Sequence, residues 1–244
     1  MLKSKDFRLI LLAVLALIIT LILDVLIRQP DLPPEHLVLA NLTDSSAVIA
    51  WTTSRPARGG VAISTQQNRL LRTLEFVFSP RTFFSDEING DTHYVFLKDL
   101  AVEMPYYYRV YSGGRFWKEG GNGRVLPSLK TAGILAAPGL PQPIFGRILD
   151  TDQAPTANAL VEIFLVNRSN HNLIASKSLV SYTNEEGFWQ SDLGNLRAFD
   201  GGSLAAVDDF QHDLFVQVSA PGGRVQAEFL PLSNDKNLGE IILR

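Results

Sequence analysis

Residues Leu9–Ile27 read LILLAVLALIITLILDVLI, and 17 of these 19 are apolar. At 1.5 Å per residue the run makes about 28 Å of helix, close to the thickness of a bilayer's hydrocarbon core. Lys3, Lys5 and Arg8 precede it, and only Arg28 follows closely. Basic residues stay on the cytoplasmic side, so the pattern predicts a single-pass helix with its N-terminus inside and everything after Arg28 outside. A cleaved signal peptide would leave its apolar core through small residues spaced A-x-A, whereas this exit reads DVLIRQPDLPP. The expectation is an uncleaved signal-anchor in the cytoplasmic or plasma membrane, with residues 1–30 forming the stub and the span. Asp24, within a turn of the outer end, reads as a carboxylate reaching the headgroups. The chain has no Cys, which excludes a lipid-bearing Cys, a disulfide framework, a thiolate metal site and a Cys nucleophile.

The remainder divides by charge and by turn chemistry. Net charge is −3, too acidic for a basic nucleic-acid binder, so no nucleic-acid partner is expected. Residues 31–132 hold 11 basic against 10 acidic side chains, and residues 133–244 hold 7 against 13. Between the halves lies GILAAPGLPQ, residues 133–142, uncharged and bearing Pro and Gly, which reads as a linker. Both halves show short apolar runs broken by turn residues every ten or so positions, without sustained 3.6-residue periodicity. In the first half the expected strands are 36–40, 47–53, 61–64, 74–78, 93–97 and 106–111. In the second they are 144–149, 159–166, 174–182, 188–192, 214–219 and 241–243. The fold class is therefore all-β: two Ig-like antiparallel β-sandwiches in tandem, 31–132 and 143–244, behind one transmembrane helix.

In the first half, Ala47, Ile49, Trp51 and Thr53 share one face of a strand, and Trp51 reads as core. Tyr106, Tyr108 and Val110 share one face of a later strand, with Tyr107, Arg109 and Tyr111 on the other. This half resembles a fibronectin type III domain, whose early strand carries a core Trp. Leu100, Tyr106 and Val110 match its L-x-P-x-T-x-Y-x-x-x-V signature, with Val102 and Met104 standing at the Pro and Thr positions. The resemblance implies a tyrosine corner at Tyr106, its hydroxyl bonded to backbone upstream. The wording is most similar to the sandwich that precedes the catalytic domain in purple acid phosphatases, a module that is not itself the catalyst.

In the second half, Gly146, Asp150, Ala159, Val161, Thr183, Gly187, Trp189 and Leu193 follow the order of a carboxypeptidase regulatory-like, or transthyretin-like, sandwich. That resemblance implies a structural or binding module, with Gly187 and Trp189 as structural positions and no catalytic residues. A short signal-anchor before such a domain pair resembles prokaryotic surface proteins.

Candidate chemistry is sparse. Gly90-Asp91-Thr92-His93-Tyr94 matches one metal-ligand motif of metallophosphoesterases, but a two-metal site needs several such motifs, including histidine-rich ones. The four His, at 36, 93, 171 and 212, supply neither H-x-H nor G-N-H. Gly90-Asp91 therefore reads as a turn opening a strand. Asp200, Asp208, Asp209 and Asp213, with His212, read as a solvated acidic loop, and Asp150-Thr151-Asp152 is only a fragment of a calcium loop. No catalytic, metal or cofactor residues are expected. Asn41-Leu42-Thr43 and Asn167-Arg168-Ser169 fit the glycan-acceptor pattern, relevant only in a glycosylating host. Phe116, Trp117 and Phe210 are the candidate contact residues. The expected function is non-enzymatic: binding, adhesion or envelope-complex assembly outside the cytoplasm, with a protein or polysaccharide partner. Two other readings remain open, an accessory or degenerate hydrolase of metallophosphatase type and a carbohydrate-binding module.

Overall fold

The computed structural model describes Val14, Leu17 and residues 32–85, 90–117, 127–137, 139–232 and 237–244. The Leu9–Ile27 run otherwise lies outside the described residues; Val14 and Leu17 are helical and exposed. No helix among the described residues is long and apolar enough to cross a membrane. Residues Leu32–Arg244 form one compact unit.

That unit begins with β1 (Glu35–Ala40), β2 (Ala47–Ala57), β3 (Gly59–Ser64), helix α1 (Arg69–Phe78), β4 (Arg81–Phe84), β5 (Gly90–Leu97), β6 (Pro105–Ser112), β7 (Arg115–Trp117) and β8 (Ser128–Lys130). One sheet runs β1-β2-β5 and the other β4-β3-β6-β7, with β8 also on β6. This is an Ig-like sandwich of fibronectin type III strand order, its last edge shared by β7 and β8. Alternation sends Ala47, Ile49, Trp51, Val61, Ile63, Val95, Leu97, Tyr106, Tyr108 and Val110 into one core, closed by Leu100. The Tyr106 hydroxyl accepts the Ala101 N–H at 2.7 Å, fixing the approach to β6.

The unit continues through β9 (Pro143–Leu149), β10 (Leu160–Asn167), β11 (Asn170–Ile174), β12 (Leu179–Tyr182), β13 (Phe188–Asp192), a 3-10 turn at Leu193–Asn195, β14 (His212–Ala220), β15 (Arg224–Pro231) and β16 (Asn237–Ile242). The larger sheet runs β11-β10-β14-β15, with β12 also on β10; the smaller runs β13-β9-β16. β16 joins β9 in parallel, and every other pair is antiparallel. Ile144, Ile148, Val161, Ile163, Leu165, Trp189, Leu214, Val216 and Val218 form the core. Gly187 turns the chain into β13 with φ +77°, where a Cβ would also run into the Ile148 carbonyl.

Three departures from the sequence reading have local causes. The apolar run Leu74–Phe78, expected as a strand, is the second half of α1. Asn68 caps that helix, its side chain accepting the N–H groups of Leu70 and Leu71 at 2.9 and 3.2 Å. The 174–182 run is broken, because Ser176 leaves the ladder and its hydroxyl accepts the Leu165 N–H at 2.8 Å. Strands β4, β7, β8 and β15 lie outside the expected runs altogether.

The two cores are not separated by solvent. Val48 and Ala50, on the face of β2 opposite Trp51, pack with Ala40 against Leu160 and Val180, and Val38, Tyr94 and Tyr182 complete this third cluster. All seven residues Ala47–Thr53 are consequently buried, where an independent sandwich would bury one face. Asn41, at φ +49°, closes the joint. Its N–H donates to the Ser178 carbonyl at 3.0 Å. Its side chain donates to the Val180 carbonyl at 2.8 Å and accepts the Val180 N–H at 2.9 Å. The amide thus imitates a peptide group and extends β1 onto β12. Thr92 Oγ1 donates to the Asn158 carbonyl at 2.7 Å, and the Arg197 guanidinium donates to the Gly133 carbonyl at 3.2 Å.

Candidate interaction surfaces

His93 lies within β5, directly across from Trp51 in β2, and the two rings stack with centroids 4.8 Å apart. It is fully buried, its Nε2 is 3.2 Å from Thr53 Oγ1, and Gly59 leaves no room for a Cβ beside its ring. Burial outweighs the attraction of Asp91 and lowers its pKa to about 4. Gly90 and Asp91 already belong to β5 and are not a turn before it, because β2 continues to Ala57 and pairs with Gly90. Asp91 Oδ2 accepts the Gly222 N–H from the β14–β15 turn at 2.7 Å. The phosphoesterase-like pentapeptide therefore serves the core with one side chain and the joint between sandwiches with another.

The expected acidic loop separates into different structures. Asp208 accepts the Phe210 and Gln211 N–H groups in a turn, and Asp200 accepts that of Gly202. His212 and Asp213 are not loop residues: both belong to β14, paired with Asn167 and Val166 of β10. Asp213 accepts from Arg168 Nε at 2.8 Å, and its other oxygen lies 2.8 Å from His171 Nε2. Desolvation pushes its pKa up, but these two bonds outweigh that and leave it below the usual carboxylate range. Among the described residues no three His, Asp or Glu side chains converge as a metal site would require.

Phe116 and Trp117 meet on β7 at the edge of the first sandwich. Trp117 is half-buried, donates Nε1–H to the Ser112 carbonyl at 3.0 Å and lies under Arg115. Phe116 is exposed and sets its edge against Tyr111, their centroids 5.3 Å apart. The outer face of this sheet continues as arginine over ring: Arg72 over Tyr107 at 3.9 Å, Arg109 over Phe76 at 4.6 Å and Arg58 over Phe84 at 4.5 Å. Burial and the adjacent Arg72 charge pull the Arg109 pKa below its ordinary value. Phe210 stands apart, 84% exposed in the turn before β14.

A third surface escaped the sequence reading. Phe164, Phe215 and Phe229 oppose one another in register across β10, β14 and β15. Their centroids are 4.6 and 5.2 Å apart, and His171 stacks on Phe229 at 4.1 Å. Leu173 and Ile174 on the edge strand β11 are exposed. Phe164 and Phe215 face each other, so the ladder shows ring edges where a sugar platform would need open ring faces. Strict alternation in β15, Arg-Val-Gln-Ala-Glu-Phe, was the available signal for Phe229.

These features define an Ig-like β-sandwich protein with half-buried aromatic clusters on its outer faces, from which Phe116 and Phe229 stand exposed. No protein-family model and no curated protein sequence matches the chain. Among solved structures it is similar to the FN1–FN3 domains of chicken CNTN1, at 11% identity and a TM-score of 0.28, over 85% of this chain and 67% of that one. It is also similar to a two-domain fibronectin type III segment from chicken tenascin, at 11% identity and a TM-score of 0.24, over 83% and 100% of the two chains. A likeness to PhoD, at 11% identity and a TM-score of 0.28, spans 47% of this chain and only 21% of that one. Strand order and the two cores define the sandwiches.

Proposed function

We propose that this chain is a membrane-tethered, extracytoplasmic binding protein, non-enzymatic, in which two joined sandwiches hold a contact surface outside the membrane. In this reading Leu9–Ile27 is the tether and the second sandwich is a carboxypeptidase regulatory-like module that presents the contact. The observation that carries it is the Phe164–Phe215–Phe229 ladder with Leu173 and Ile174 beside it, an aromatic sheet face of the kind protein partners cover. The joint at Asn41 supports it, since a surface held rigidly loses less freedom on binding. The burial of His93 and the engagement of Asp91 by Gly222 favour binding over phosphoester chemistry.

Protease added to intact cells or spheroplasts is expected to remove the bulk of residues 31–244. A photo-crosslinking residue at Phe229 should give a discrete protein adduct that the same residue at exposed Glu185 does not. Full protection from protease overturns the topology, and indifference to crosslinker position overturns the contact surface.

A further inference from the structure

Helix α1 is amphipathic and docked with its polar side down. At 100° per residue, Val77, Leu70, Leu74, Phe78 and Leu71 fall within about 120° of arc, opposite Phe76. Those five are 63, 68, 43, 79 and 52% exposed, and Phe76 is the helix's buried residue. The inward side is held by polar contacts: Arg72 lies over Tyr107, and Glu75 Oε2 accepts the Ser64 hydroxyl at 2.6 Å. A surface helix ordinarily buries such a stripe against its own core; this one turns it outward.

The surroundings select the occupant. Helix α1 and its sheet, β3, β4 and β6–β8, carry Arg69, Arg72, Arg81, Arg109, Arg115 and Lys130 against one acid, Glu75, already bonded to Ser64. Of these, Arg72 and Arg109 lie beneath the helix, and Arg69, Arg81, Arg115 and Lys130 are exposed; an outward apolar stripe on so basic a sandwich face suits an anionic lipid interface, where side chains enter the acyl boundary and cations meet headgroups. The same cations disfavour a second copy, which would set like charge against like. In the tether reading a lipid surface is at hand, because only the four residues Arg28–Asp31 separate the apolar run from Leu32, a reach of at most about 18 Å from Ile27 to Leu32. We propose that α1 is an interfacial helix that lays its Leu70–Leu71–Leu74–Val77–Phe78 stripe on an anionic lipid surface. This rests on the tether reading above.

The test uses the full chain in nanodiscs of phosphatidylcholine alone or mixed with phosphatidylglycerol. The protein has no native Cys, so Val77→Cys accepts a single environment-sensitive fluorophore, with Glu185→Cys as the control. The expected result is a blue shift at position 77 in the anionic discs, diminished at high salt and lost in Leu74→Glu and in Arg69→Glu, with no shift at 185. Both of those side chains are exposed, so neither variant threatens the fold. A water-exposed label in both lipids overturns the proposal, as does an equal shift in both. A shift in detergent accompanied by dimerisation assigns the stripe to a second copy and overturns it too. Resistance of the chain to carbonate extraction reads the tether separately. If incorporation fails, salt-sensitive co-sedimentation with phosphatidylglycerol vesicles still decides the helix.

Discussion

The outer face of the first sandwich is built by stacking arginines on rings, and that of the second by stacking rings on one another. Arg72, Arg109 and Arg58 cover Tyr107, Phe76 and Phe84 in one; Phe164, Phe215 and Phe229 stack edge and face in the other. Total charge differs as well, near balance in 31–132 with 11 basic and 10 acidic residues and acidic in 133–244 with 7 and 13. Two sandwiches of one general plan thus offer different chemistries, cationic with an apolar helix against aromatic and acidic. The inner faces differ less, and one contact between them removes their independence. β2 supports the Trp51 core on one side and the joint with Leu160 and Val180 on the other.

The strongest perturbation is Trp51→Ala. Emptying a fully buried Trp site costs roughly 3–5 kcal/mol. Because β2 lies in both clusters, calorimetry should show the second sandwich destabilised along with the first. A second sandwich that melts unchanged would make the two independent.

Acid comes next. His93 is held neutral, with a pKa near 4 against 6.5 for the free side chain. Between those values the unfolded chain binds a proton that the folded chain does not. Stability is therefore complete above about pH 6.5 and falls by up to about 3 kcal/mol as pH drops toward 4. His93→Phe keeps an aromatic ring beside Trp51, and its denaturant midpoint should vary less over that window. A wild-type midpoint that stays flat would place His93 in water.

The joint itself is the third target. Asn41→Ala leaves the Val180 N–H and carbonyl unpaired in a partly buried site, a loss of about 2 kcal/mol. One melting transition should split into two, and Asn41→Gly, which tolerates the positive φ, should split it as well. At the small end, Arg168→Ala removes one arm of the Asp213 pair, whose Arg168 and His171 partners are 38 and 37% exposed. Its effect on the urea midpoint should stay under about 1 kcal/mol. A larger loss would tie the Phe229–His171 stack to the core of the second sandwich.

What the sequence revealed was mostly local. The alternation around Trp51 placed the first core, because strand periodicity determines it, and the resemblance carried by Leu100, Tyr106 and Val110 implied the tyrosine corner, which one hydroxyl bond to Ala101 makes. Helix α1 was missed because Leu74-Glu75-Phe76-Val77-Phe78 looks apolar in any period, while the cap at Asn68 and the Leu70–Leu74–Val77 spacing went unweighed. The joint was missed because Val48, Ala50, Leu160 and Val180 look like ordinary strand residues; only the unbroken burial of Ala47–Thr53 betrays a second covered face. Asn41 gave a glycan-acceptor signal, yet its amide is committed to Val180. Asp213 looked like a loop acid because its partners, Arg168 and His171, sit more than 40 positions away in the chain.

The two sandwiches form one compact unit, and if the joint is rigid a basic face and an aromatic face keep a fixed relation. The absence of native Cys makes a direct test simple. Spin labels at exposed Lys98 in the first sandwich and exposed Glu185 in the second, in the full chain, report the distance between them by pulsed electron resonance. A rigid joint gives one narrow distance distribution that broadens in Asn41→Ala. A distribution already broad in the wild-type chain, and unchanged by Asn41→Ala, would contradict it.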